Sequence, residues 1–407
     1  MSFVKIPVKG MRDILPSEME LREYIISQIY ETYKLFGFKK IETPCVEHIE
    51  NISNNQGGEN EKLTFKILKR GEKFDLDSAR DIFDIVDCGL RYDLTVPLSR
   101  YYSNNMNDLD RPFKALQIGN VWRADRPQKG RFRQFVQCDI DILGEKSIIA
   151  EIELVLATTT LLNKVGLNNY TVKINDRRIL KAIASYSGFN EEEYSNLFIS
   201  LDKLDKIGFD GVKEELISDG FESNKIDKYL NIFKNIKSTA GEFCKEFNSS
   251  IDQEVINDLD KVIDVVKNIN NINIEFDPTL VRGMSYYTGI IFEITVEGYP
   301  GSIAGGGRYD EMIGRFINVP VPACGFSIGF ERLINILTEK GFEVPSNNKK
   351  YAMLIDKDTD SNKLKEYIKE ANDLRKDGYE VNVLNKSKNY KYQIETLENN
   401  NYTIIKK

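Results

Sequence analysis

Between residues 17 and 37 the apolar positions fall at helical spacing, with Leu21, Ile25, Ile29, Tyr33 and Leu35 on one stripe. The spacing predicts a helix, and Ser17 with Glu20 three residues on reads as a capping box at its start. Residues 38–42 read as a short strand ended by Pro44, and 51–60, with Gly57 and Gly58, as a polar loop. Residues 63–68 open a hairpin whose tip carries the charged stretch 72–87, and 104–112 is a further loop. Residues 115–123 form a strand that leads through a basic turn into a second one. There Phe132, Gln134, Val136 and Cys138 alternate with Arg133, Phe135, Gln137 and Asp139. An apolar helix over 145–165 and a strand over 170–174 follow.

From Asn175 to about Phe276 the chain turns rich in Lys, Glu, Asn and Ser. Helical periodicity appears at 190–205, 211–218, 226–234 and 252–269, which reads as an inserted helical domain. Residues 325–333 run from strand to helix. The stretch 339–350, with Pro345 and Ser346, is the best linker. Beyond it, 351–355, 361–376, 379–384, 391–399 and 402–405 alternate strand and helix, a βαβαβ pattern with right-handed crossovers.

A chain of 407 residues exceeds one ordinary core, so two or three domains are expected. No run reaches the apolar length of a membrane span and the N-terminus lacks an apolar signal core, which predicts a cytoplasmic protein without a membrane partner. The formal net charge of −7 gives no whole-molecule attraction for nucleic acid, so an RNA partner would be held by local basic patches. Cys45, Cys88, Cys138, Cys244 and Cys324 are scattered and odd in number, which predicts free thiols and no zinc site. With His48 as the only histidine, general base chemistry by histidine is nearly excluded.

The candidate chemistry begins at the basic turn. Arg123, Arg126, Arg131 and Arg133 flank it with an aromatic residue among them. Guanidinium forks for a polyphosphate and a ring for a flat base are built this way. The residues alone leave a basic surface hairpin equally open. Asp93 and Thr95 share a face if their segment is extended, and a carboxylate beside a hydroxyl can take an ammonium group. A strand-end turn broken by Pro97 is the stronger reading without context. Arginines, one carboxylate–hydroxyl pair, glycine runs and no metal cluster favour adenylate chemistry over hydrolysis. Joining a carboxylate to the α-phosphate of ATP needs alignment and charge stabilisation, with no protein nucleophile.

The run RPQKGRFRQF, residues 126–135, resembles motif 2 of class II aminoacyl-tRNA synthetases in its histidyl form. KGMRDILP (9–16) is similar to the opening of histidyl-tRNA synthetases. LVRGMSYYTG (280–289) and AGGGRY (304–309) resemble their two histidine motifs, and GFSIGFERL (325–333) resembles motif 3. The helix, strand and Pro44 near the start have the form of motif 1, through which class II enzymes dimerise. The resemblance spans residues 9–333.

It implies an α+β fold: a catalytic domain on a mixed, mainly antiparallel sheet with flanking helices, a helical insertion, and a C-terminal α/β anticodon-binding-like domain. That last domain normally continues with more strand and helix than is present here. The expected division is 1–175 and 277–338 for the two parts of the catalytic core, 176–276 for the insertion, 339–350 for the linker and 351–407 for the tail. The implied activity is that of a histidine–tRNA ligase using ATP and Mg²⁺, with histidine and tRNA(His) as partners, in a homodimer.

In that family pattern Arg123 and Arg282 grip the α-phosphate, and Arg131 and Arg332 hold the outer phosphates with Mg²⁺ bridging them. Phe135 stacks on adenine. Asp93, Thr95 and Gln137 take the ammonium of histidine. Asp141 and Tyr287 reach the imidazole, with Tyr309 nearby. No protein side chain is expected to ligate a metal. The chain departs from the pattern at Met284 and Ser285, where Leu-Asp is usual, and at Asp125 and Asp141, where glutamate is found. Two other readings stand beside this one. One is the synthetase-like regulatory subunit of ATP phosphoribosyltransferase, which shares the fold without aminoacylating. The other is a non-catalytic RNA-binding protein.

Overall fold

The computed structural model describes residues 3–53, 63–71, 74–127, 130–234, 239–270, 272–282, 286–345 and 349–407. Gly57, Gly58, Met284, Ser285 and Ser346, named above, lie outside the described residues. The chain divides into two compact units, Met1–Phe342 and Glu343–Lys407.

The first helix, α1 (Pro16–Leu35), buries Leu21, Ile25, Ile29 and Tyr33 as the periodicity predicts. Each such side chain contributes about 1.5–3 kcal/mol on removal from water. Leu35 is instead exposed, because two residues beyond Tyr33 lie ~200° round the helix. The expected capping box does not form. Leu15 stands at the N-cap with no side-chain cap. Pro16 occupies the first turn, where its preset φ fits and its missing N–H has no partner to lose, so Ser17 falls inside the helix.

The strand expected at 38–42 shortens to β1 (Lys39–Lys40). A small antiparallel sheet follows, built from β2 (Val46–His48), β3 (Lys66–Leu68) and β4 (Val86–Leu90) in the order β2-β4-β3, with α2 (Ile49–Ser53) beside it. Of the charged tip expected at 72–87, the described residues 74–85 lie between β3 and β4, and Val86 and Asp87 already belong to β4. Asp93 and Thr95 do not lie on an extended segment. Thr95 opens helix α3 (Thr95–Asn105), and Asp93 Oδ1 accepts from the backbone N–H groups of Thr95 and Val96, both at 3.1 Å. Asp93 thus satisfies two donors that a helix start leaves unpaired. Pro97, in the first turn, lacks only an N–H that the helix does not use.

The main sheet has eight strands in the order β1-β5-β6-β11-β10-β9-β7-β8. Its members are β1, β5 (Phe113–Trp122), β6 (Gln134–Leu143), β7 (Tyr170–Asp176), β8 (Ile274–Phe276), β9 (Ile290–Val296), β10 (Ser302–Arg308) and β11 (Ala323–Gly329). Only the outer pairs β1/β5 and β7/β8 are parallel. The other pairings are antiparallel, which makes the sheet mixed and mainly antiparallel as expected. Helix α4 (Ile149–Lys164) buries ten of its 16 residues and packs on α1 and on strands β6 and β11. Alternation on β6 sends Cys138, Ile140 and Ile142 into apolar packing and leaves Gln137, Asp139 and Asp141 on the opposite face.

Between β7 and β8 run α5 (Arg177–Tyr186), α6 (Tyr194–Leu201), α7 (Leu204–Ser218), α8 (Ser223–Lys234), α9 (Ala240–Phe243) and α10 (Gln253–Asn270). Helix α5 lies outside the periodic stretches named above. Its signal is Asp176, whose carboxylate accepts from the Arg178 N–H at 2.8 Å and caps it. After β9 and β10 come α11 (Gly314–Ile317), β11 and α12 (Phe330–Glu339).

In the second unit β12 (Lys350–Ile355), α13 (Ser361–Lys376), β13 (Glu380–Asn385), α14 (Tyr390–Asn399) and β14 (Tyr402–Lys406) match the βαβαβ pattern closely. The strands are parallel in the order β13-β12-β14. Met353, Ile355, Ala371 and Val381 form the core of this unit.

Candidate active site

The β5–β6 hairpin is the first wall of the site. Beyond the last ladder pair, the Arg123 N–H still donates to the Arg133 carbonyl at 2.9 Å. The Arg123 guanidinium lies 4.3 Å from the Tyr92 ring centre and 5.2 Å from that of Phe135, and its Nε donates to the Tyr92 carbonyl at 3.1 Å. Two rings and a carbonyl fix its direction. The N-terminal segment braces the turn from outside. The Gly10 carbonyl accepts from the Arg133 N–H at 2.7 Å, and Arg12 sits over the Phe132 ring.

The second wall is the end of the segment before β9. Arg282 adopts φ 63°, a left-handed conformation that costs a side-chain-bearing residue about 1–2 kcal/mol. Surrounding polar contacts hold it there. Asn175 donates to the carbonyls of Pro278 and Leu280, and Arg177 donates to that of Val281. The Arg282 guanidinium donates to Glu293 Oε2 at 2.6 Å and lies flat on Gly305, where a Cβ would come within 2.5 Å of its Cζ. The glycine run lies in the central strand β10, which is bare at Gly305 where this arginine crosses it. Arg332, in the first turn of α12, donates to the Ser302 carbonyl. Burial, with Arg131 close by, holds its pKa below the ordinary value.

The floor comes from β6 and its partner β11. Tyr309 Oη donates to Asp141 Oδ1 at 2.6 Å, while Asp141 Oδ2 is buried with no partner among the described residues. Gly325 makes room for that carboxylate, since a Cβ there would lie 2.0 Å from Asp141 Oδ1. Gln137 Nε2 donates to Ser327 Oγ at 3.2 Å and toward both oxygens of Asp139 at 3.3 and 3.4 Å. Burial pushes Asp139 up to about 7 and Asp141 well above the carboxylate range, with Asp139 adding to the latter. Burial also raises Tyr287 to about 12, against the pull of Arg282.

These shifts carry a sign. An Asp in the unfolded chain titrates near ~3.9. Between that value and about 7 the folded protein binds more protons, so Asp139 and Asp141 subtract stability as pH rises through this window. Asp176, which burial also raises, adds to the same trend, and His48 is the only histidine. The unliganded protein is expected to lose on the order of a few kcal/mol between pH 5 and 7.5 in urea titrations. A flat profile would show both groups ionised in the empty site.

One cavity of about 460 Å³ gathers the eleven residues to which the family pattern gives a role. Arg123, Arg131, Arg282, Arg332 and Phe135 line it, as do Asp93, Thr95, Gln137, Asp141, Tyr287 and Tyr309. Arg126 and Arg133 of the basic turn do not. From Phe135 to Asp141 the floor spans ~20 Å along the strand. Arg123 and Arg131 flank its turn end and Asp141 stands at the other, while Arg282 crosses Gly305, which pairs with Ser327 and through it with Asp139. Asp139, Ser327, Tyr286, Glu293 and Asp202 also line it. Asp139 could have been assigned from strand alternation, since it shares a face with Gln137 and Asp141. Asp202, just beyond α6, carries no local signal that would place it here.

The family model for histidyl-tRNA synthetase matches residues 10–333. The histidine–tRNA ligase of Leifsonia xyli subsp. xyli is 44% identical over 350 residues, covering 81% of this chain and 80% of the relative. The probable histidine–tRNA ligase of Tropheryma whipplei (strain Twist) is 43% identical over 376 residues, 88% and 85% of the two chains. Among solved structures, histidyl-tRNA synthetase from Nostoc sp. PCC 7120 superposes with a TM-score of 0.78 at 27% identity, over 98% of this chain and 90% of that one. An ATP phosphoribosyltransferase regulatory subunit/histidyl-tRNA synthetase from Bacillus halodurans C shares the fold, with a TM-score of 0.79 at 22% identity over 100% and 99%. With motif, cavity and relatives in agreement over most of its length, the chain belongs to the histidyl-tRNA synthetase family.

Proposed function

We propose that this chain is a histidine–tRNA ligase. It joins histidine to ATP, releasing pyrophosphate, and passes the histidyl group to the 3′-terminal adenosine of tRNA(His). The observation that carries the reading is a single cavity lined by four arginines and Phe135 together with Asp93, Asp139 and Asp141. In the first step a histidine carboxylate oxygen attacks the α-phosphorus. The new O–P bond forms as the bond to pyrophosphate breaks, and charge builds on the α-phosphate oxygens.

Arg123 and Arg282 are assigned to those oxygens, and Arg131 and Arg332 to the outer phosphates. Phe135 stacks on adenine. Asp93, Thr95 and Gln137 take the ammonium, and Asp141 and Tyr287 the imidazole. Tyr309 acts through its hydrogen bond to Asp141. The unpartnered Asp141 Oδ2 supports an imidazole N–H there. Mg²⁺ would enter on the phosphates of ATP, as this cation prefers, and Glu293 is the carboxylate on the arginine-lined side. Bound there it would neutralise phosphate charge.

Residues 176–276 are assigned to the acceptor end of the tRNA, which the presence of Asp202 in the cavity supports. Residues 1–175 and 277–338 form the catalytic core, 339–350 the linker, and 351–407 an anticodon-binding-like domain. Homodimerisation through the motif 1 region and a cytoplasmic location complete the proposal. Among the described residues no helix is long and apolar enough to cross a membrane.

The test is exchange of labelled pyrophosphate into ATP without tRNA, against a panel of amino acids. Exchange with histidine alone is expected. Folded protein that exchanges with none would favour the regulatory reading.

A further inference from the structure

The amide of Gln137 has two chemically opposite ends, and its neighbours choose between them. Nε2 faces Asp139 and Ser327, while Oε1 is buried and has no partner among the described residues. An orphaned buried acceptor costs about 1–3 kcal/mol unless a ligand donor meets it. An ionised carboxylate accepts hydrogen bonds and donates none. Asp139 in that form therefore takes the N–H end and leaves Oε1 for the cavity. The ladder reinforces this geometry, because Asp139 is directly paired with Ser327 and Gln137 with Gly329 across β6 and β11.

We infer that Asp139 is a positioning residue for the amino-acid substrate, holding the Gln137 amide so that its oxygen, not its nitrogen, meets the substrate ammonium. The inference rests on the adenylating reading of the cavity and deepens it. Turned the other way, Gln137 would present N–H groups to a cation and repel it. A protonated Asp139 removes the preference, since its O–H can donate to Oε1. Loss of that proton thus accompanies productive ammonium binding.

The charged and titratable groups around Asp139 come from several elements. Asp93 faces it from the start of α3, Arg123 from the end of β5, and Arg91 from the segment after β4. Tyr286 and Tyr287 face it from the segment before β9 and Asp141 from its own strand, while Tyr33 of α1 and Cys138, which points to the other face of β6, lie within range of its charge.

The experiment compares calorimetric affinities of wild type and Asp139→Asn for histidine, for its deamino analogue imidazolepropionate, and for ATP, from pH 5.5 to 8.5. The substituted amide offers both a donor and an acceptor, so it no longer selects one end of Gln137. Histidine affinity is expected to fall at least tenfold at pH 8, with the deamino analogue and ATP unchanged. The wild-type-to-variant ratio is expected to grow with pH, and the titration of the ligand's own imidazole drops out of that ratio. Gln137→Glu added to Asp139→Asn restores an oxygen toward the ammonium and is expected to recover most of the loss.

An unchanged histidine affinity in Asp139→Asn would overturn the inference. An equal loss for the deamino analogue or for ATP would do the same, by making Asp139 a part of the framework only. If wild-type protein fails to bind histidine, the adenylating reading itself fails, which is a separate result.

Discussion

Arg282→Ala is expected to slow histidine-dependent pyrophosphate exchange by about 10²–10³-fold while the KM for histidine stays near its wild-type value. The size is that of removing one preorganised donor from a developing oxyanion. The guanidinium is aimed in advance, at the cost of a left-handed residue, by Glu293 on one side and bare Gly305 beneath it. Alanine keeps the same backbone demand, so the loss reports the side chain. Arg282→Lys, with charge but no planar fork, is expected to fall between the two. Steady-state exchange kinetics decide the matter, and an unchanged rate in the alanine variant would remove Arg282 from the α-phosphate.

Glu331→Gln is expected to cost about 3 kcal/mol of folding stability, the lower end of what breaking a buried ion pair costs. Arg22 grips Glu331 with two hydrogen bonds of 2.7 and 2.8 Å, and both residues are only 6% exposed. Arg12 adds a third contact at 3.1 Å, and the Val136 N–H a fourth at 3.4 Å. The lower end applies because Glu18 stays within 3.3 Å of Arg22. Burial alone would raise the Glu331 pKa, but the Arg22 bonds and charge outweigh it and hold it low. The stabilisation is therefore present above the unfolded value of ~4.3 and fades as pH falls through the lower folded value. Urea unfolding of the two proteins should differ at pH 7 and converge toward pH 3. A constant gap would assign the loss to packing.

Elements with a strong local period were legible without coordinates. The five segments of the second unit and the buried stripe of α1 follow directly from spacing. What spacing could not convey was decided by single residues competing for the same backbone groups. Pro16 displaced Ser17 from the helix start, and the Asp93 carboxylate opens a helix at Thr95 where the residues left a strand-end turn or an extended segment open. For the cavity, long motifs brought eleven residues to attention, and all eleven line it. The ion network around Glu331 was illegible, because its members Arg12, Arg22 and Glu331 lie up to 319 residues apart and nothing in either neighbourhood demands the other. The three glycines of β10 carry no strand signal of their own, because glycine has low strand preference. Only tertiary neighbours explain them: a Cβ would strike Arg282 at Gly305, the backbone of Gly325 at Gly306 and that of Ile290 at Gly307.

The seam between β6 and β11 also sets a schedule for synthesis. Gln137 and Ser327 are hydrogen-bonded neighbours in the sheet, yet 190 residues separate them along the chain. At a translation rate of about 5–20 residues per second, the hairpin β5–β6 leaves the ribosome roughly 10–40 s before β11 exists to pair with it. Throughout that interval the inner edge of β6 is an open template beside the apolar Cys138, Ile140 and Ile142. The nascent chain is at its most aggregation-prone then, and neither half of the molecule holds a ligand cavity until the seam closes.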